Sequence, residues 1–100
     1  MTKISEGEFA RICAGIDEDR ETIYRHNPMG TEEETLLWML LSVLMSYLSL
    51  KEIETPCFSG VPTAETYREA IRFVVKNRMK DNFDVEKYLN QLTTKTENRQ

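Results

Sequence analysis

One hundred residues, 40 % apolar and 30 % charged, suit one compact domain with a single core. Four Gly, three Pro and two Cys exclude collagen-like, low-complexity and disulfide-scaffold classes. A formal charge of −4 and a pI near 5.0 weigh against a protein whose main work is gripping phosphate backbones.

The charge is unevenly spread. Residues 1–35 carry −5, residues 36–66 −2, residues 67–80 +4 and residues 81–100 −1. One short basic segment thus sits in an acidic chain, and a local cationic surface is compatible with a global field that repels nucleic acid.

Ser5 stands three residues before Glu8, the spacing of a capping box, and Phe9, Ile12, Cys13 and Ile16 follow at i, i+3, i+4 and i+7. A helix starts there. Asp19 and Arg20 then fall where the stripe needs apolar residues, before Ile23 and Tyr24 resume it. The helix either stops near Asp17 or continues; continuation is preferred, giving a first helix over 5–25. His26 to Gly30 reads as a loop, since the residue before Pro28 is pushed out of the α region.

Thr31 and Glu34 form a second capping box, and Glu32, Glu33 and Glu34 put negative charge where the helix dipole is positive. The helix predicted over 32–54 is the most apolar object in the chain, with twelve of the fifteen residues from Leu36 to Leu50 apolar. Fifteen residues span roughly 22 Å, short of the hydrocarbon layer of about 30 Å, and acidic groups flank both ends, so a membrane span is not expected.

Residues 55–62 contain two Pro and a Gly and read as a loop. Thr63 caps a third helix over 64–80, with Tyr67, Ala70, Ile71, Val74 and Val75 as its stripe. Asp84 caps a fourth over 85–92, where Val85, Tyr88, Leu89 and Leu92 repeat the pattern. Residues 93–100 hold no apolar side chain and read as a disordered tail after a single domain over 1–92. The predicted fold is all-α: four helices, with the second as a long, buried central helix.

An apolar surface on all sides of that helix must be covered on all sides, and three neighbours in a chain this short leave a surplus. Each large side chain left wet forgoes roughly 1.5 to 3 kcal/mol. A second copy, or another helical protein, is the natural cover. The expected partner interface is Trp38, Met39, Ser42, Met45, Ser46 and Ser49, with the small hydroxyl residues allowing close helix approach. The same serine stripe, continued upstream by Thr35, also fits a narrow solvent-facing edge.

Arg68, Arg72, Lys76 and Lys80 recur at i+4 steps, with Arg78 nearby. This ridge is either an ordinary solvated flank or a charged contact for an acidic partner, including the acidic first helix of a second copy. Residues 49–68 have a helix-turn-helix order, which makes a DNA-associated regulator using helix 64–80 the alternative function. The eight-residue connector exceeds the usual three or four and argues against it.

Chemistry is thinly signalled. His26, the only histidine, has no metal-ligand spacing to a second ligand. Asp17, Asp19 and Glu21 alternate like calcium ligands, but Thr22 replaces the glycine an EF-hand loop needs and Pro28 its final glutamate. Cys13 lies on an apolar stripe, and Cys57 sits in a loop where an exposed thiol or small-molecule site is a third reading. The expectation is a non-enzymatic, cytoplasmic interaction or regulatory protein, homodimeric or bound to a helical partner, with no catalytic residues, metal or cofactor, and with no leader or lipidation signal.

Overall fold

The structure of the chain, a computed structural model, describes residues 4–28, 30–47, 63–78 and 83–97. Within them it is all-α: α1 Glu6–Glu18, α2 Arg20–His26, α3 Glu32–Tyr47, α4 Ala64–Arg78 and α5 Val85–Glu97, with no strand.

The helix starts lie where their caps predict. Ser5 Oγ accepts from the Glu8 amide at 3.2 Å, and Thr63 Oγ1 from that of Thr66 at 3.3 Å. Asp84 Oδ1 accepts from the Glu86 amide at 3.0 Å. The box at Thr31 is reciprocal: its Oγ1 accepts from the Glu34 amide at 3.1 Å, while the Glu34 carboxylate accepts from the Thr31 amide at 2.9 Å. Gly30, at φ +86°, turns the chain into this helix.

The single helix predicted over 5–25 is two helices, so the described residues hold five and not four. The break is at Asp19, whose φ of −101° and ψ of 15° leave helical geometry. A short side chain that competes for backbone hydrogen bonds is a weak helix former, and a straight continuation would carry Asp19 and Arg20 along the core-facing stripe. The phase carries through the break: Arg20 continues the buried row of Phe9, Cys13 and Ile16, and Ile23 packs against the core.

α3 touches every other helix and contributes Leu36, Leu37, Leu40, Leu41 and Leu44 to the buried cluster. Phe9, Cys13 and Ile16 enter from α1, Tyr67, Ala70, Ile71, Val74 and Val75 from α4, and Leu89 and Leu92 from α5. Of the predicted 32–54, residues 48–54 lie outside the described residues, as do 79 and 80 of the predicted 64–80.

α5 runs on to Glu97, five residues past its predicted end at Leu92. Thr93 is why the pattern misleads: it is polar, yet 4 % exposed, because its hydroxyl donates to the Leu89 carbonyl at 2.9 Å and accepts from Arg68 at 2.7 Å. A buried polar side chain with its bonds satisfied continues a helix face as an apolar one does. Residues 98–100 of the predicted tail lie outside the described residues.

Candidate functional site

At 100° per residue, the five leucines of α3 occupy one sector of the helix, centred between Leu40 and Leu44. The opposite sector holds Trp38, Met39, Ser42, Val43, Met45 and Ser46, with Ser42 and Ser46 along its middle. All are half-buried except Ser46, which is exposed. Trp38, Met39 and Met45 lean against the core rather than standing free of it. Coverage is graded along the hydroxyl row: Thr35 is fully buried, Ser42 half-buried and Ser46 exposed. The row is therefore neither a uniform solvent edge nor a uniform contact strip; it opens toward the Tyr47 end. No charged residue occurs from Thr35 to Tyr47. Ser49 lies outside the described residues.

The four cations expected along α4 do not form one ridge. Arg68 turns into the fold, with its side chain 13 % exposed, and donates to Thr93 Oγ1 at 2.7 Å, Asn90 Oδ1 at 3.3 Å and Glu33 Oε1 at 3.4 Å. Arg72 grips Glu86 with two parallel bonds of 2.7 and 2.8 Å and reaches Glu65 at 3.1 Å. Its hydrogen bonds to Glu86 and Glu65 hold the guanidinium firmly protonated, and in return Arg72 holds the Glu86 carboxyl below the usual carboxylate range. Lys76 is exposed. Lys80 and the Arg78 side chain lie outside the described residues. Phe73, 45 % exposed, sits between Arg72 and Lys76.

Arg20, which breaks the apolar stripe of the sequence, is buried at 5 % exposure. Its guanidinium donates to the Asp17 carboxylate, to Glu32 Oε1 at 3.3 Å and to the main-chain carbonyl of Leu92 at 2.7 Å, so three helices other than its own meet at one side chain. A buried guanidinium is tolerable only when its charge is matched and its donors are occupied, and removing one partner of such a cluster typically costs about 3 to 5 kcal/mol. Sequence offers one hint of this role, Asp17 three residues earlier at pairing distance on a helix. Glu32 and Leu92 become neighbours only through the tertiary fold.

Between α1 and α5 lies an open groove of about 650 Å³, lined by Ala10, Cys13, Ala14, Tyr88, Gln91 and Leu92 among others. Burial pushes the Cys13 thiol up to about 12, so it is a protonated, unreactive wall group at neutral pH. At one end Tyr88 donates to Glu6 at 2.7 Å, a bond that raises the phenol above its usual value. Phe9, Phe83 and Tyr88 close a ring of tilted and edge-on contacts with centroids 5.6 to 5.7 Å apart.

His26 is exposed, with Nδ1 3.0 Å from the Thr22 carbonyl oxygen. Asp17 is committed to Arg20, and among the described residues no three His, Cys, Asp or Glu side chains converge as metal ligands. Among the same residues no helix is long and apolar enough to cross a membrane. Cys57 lies outside the described residues. Comparison with protein-family models, with curated proteins and with solved structures found no match to this chain.

Proposed function

We propose that this chain is a small, non-enzymatic interaction or regulatory protein that self-associates through the outer face of α3. The observation that carries the reading is the uncharged sector of Trp38, Met39, Ser42, Val43, Met45 and Ser46. A helix facing water normally carries charges there, and this one carries none over thirteen residues. The sector opens toward Ser46, so a second helix would approach most closely there, over the small serine side chains. A different helical protein is the other partner of the same chemistry.

The nucleic-acid reading of α4 has less behind it. Arg68 and Arg72 already serve acids and a hydroxyl of their own chain, which leaves Lys76 as the exposed cation among the described ridge positions. Phosphate contacts would first have to break those bonds.

Solution mass tests the proposal. Light scattering on the full chain should give twice the 11.7 kDa chain mass at high concentration, and Ser46→Arg should return it to one chain with unchanged helicity. A single-chain mass at every concentration tried removes self-association.

A further inference from the structure

We propose that α5 is a latch, a helix that opens from the rest of the fold as a unit before α3 and α4 lose structure. Three observations point the same way. The first is how little apolar matter holds it. Of its side chains from Val85 to Thr94, Leu89, Leu92 and Thr93 are buried, two of them apolar, and Val85 and Tyr88 pack half-buried against the core. α3, by contrast, buries five leucines and α4 five apolar side chains.

The second is what holds it instead. Arg20 from α2 grips the Leu92 carbonyl, and Arg68 from α4 grips Thr93 Oγ1, both at 2.7 Å, one residue apart. One turn and two turns earlier, Tyr88 bonds to Glu6 of α1, and Glu86 takes the fork of Arg72. Directional bonds of this kind are lost together when a helix shifts, whereas apolar packing weakens gradually, so a helix held mainly by them is attached or released with little between.

The third is the seam. Where α5 faces α1 the two helices leave the groove of about 650 Å³ over Ala10, Cys13 and Ala14. Beyond the Phe9–Tyr88 contact at one end, the line over Ala10 and Ala14 stays open, so close packing ties α5 to α1 over only part of the seam. Opening the latch bares the side of α3 on which α5 packs. The latch does not require self-association, and it changes the surface available to any partner.

Hydrogen exchange on the intact wild-type chain, followed through increasing sub-denaturing urea, reads this directly. Slow amides of α5 should exchange about tenfold or more faster than those of α3 and α4, through an opening with its own, smaller urea dependence. Thr93→Val keeps the volume and removes the Arg68 acceptor; it should speed exchange in α5 about tenfold more while leaving α4 unchanged. One common exchange free energy for α3, α4 and α5 in the wild-type chain overturns the latch, as does an equal acceleration of all helices in Thr93→Val. If Thr93→Val does not fold, the wild-type measurement decides alone. A solution mass that stays at one chain while α5 opens separately removes the self-association reading and leaves the latch standing.

Discussion

The Arg20 guanidinium donates to the Leu92 main-chain carbonyl across 72 residues of sequence, at 2.7 Å in a buried setting. It binds Asp17 and Glu32 at the same time, so one charge secures α1, α3 and α5 against α2. Replacing it with methionine keeps the bulk and takes the guanidinium away from two carboxylates and a buried carbonyl. Those acids are partly exposed, at 28 % and 18 %, which softens the loss. Arg20→Met should cost about 2 to 4 kcal/mol in urea unfolding, and a loss below about 1 kcal/mol would show that the cluster contributes little net stability.

The Arg72–Glu86 fork is more exposed, its side chains 38 % and 40 % accessible, and solvent screens it. Glu86→Gln should therefore cost under about 1 kcal/mol at neutral pH, and less in high salt. The pH dependence has a definite sign. The Glu86 carboxyl titrates below its usual 4.5 in the folded chain, so the stabilisation is complete above that value and fades as pH falls through the depressed one. Stability measured from pH 5 downward should fall less steeply in Glu86→Gln than in the wild type; parallel slopes would contradict the pairing.

Cys13 should be silent toward thiol reagents in the folded state. With Cys57→Ser removing the other cysteine, an aromatic disulfide reagent at neutral pH should modify the chain no faster than it unfolds, because the thiol is buried and its pKa stands near 12. Rapid labelling of the folded chain would mean that the groove between α1 and α5 admits reagent to the sulfur.

Gly30 should resist substitution for two separate reasons. Its φ of +86° penalises any β-carbon, and a Cβ built there comes within 2.6 Å of Glu34 Oε1, the oxygen that caps the Thr31 amide. Gly30→Ala should cost about 1 to 2 kcal/mol, read as a lower melting temperature. Coupling to Glu34 is checked by a double-mutant cycle with Glu34→Ala, where the two losses should add to more than the double variant shows.

Much of the fold was legible in the chain. Ser5, Thr31, Thr63 and Asp84 mark their helix starts because capping is a matter of three or four adjacent residues. The buried stripes of α1, α4 and α5 follow the period of 3.6 for the same local reason. The reading failed where polar residues fall along a core-facing stripe. Asp19 and Arg20 looked like a tolerated interruption and are a break, and Thr93 looked like the start of a tail and lies inside a helix.

The candidate surfaces divide along the same line. The charge-free sector of α3 was visible as composition alone, and its gradient from buried Thr35 to exposed Ser46 required knowing where the neighbouring helices lie. Arg68 and Arg72 share a helical flank by spacing, and spacing carries no information about Thr93, Glu33 and Glu86, which claim them.

The amino-acid sequence by itself determined the all-α class, the capped helix starts and the apolar stripes of α1, α4 and α5, because these depend on residues within a turn or two of one another. Which charges point inward, and which stay exposed, was decided by the tertiary structure. A buried guanidinium is stable only beside acids and carbonyls that arrive from distant parts of the chain, and for Arg20 and Arg68 those partners are assembled by the fold itself.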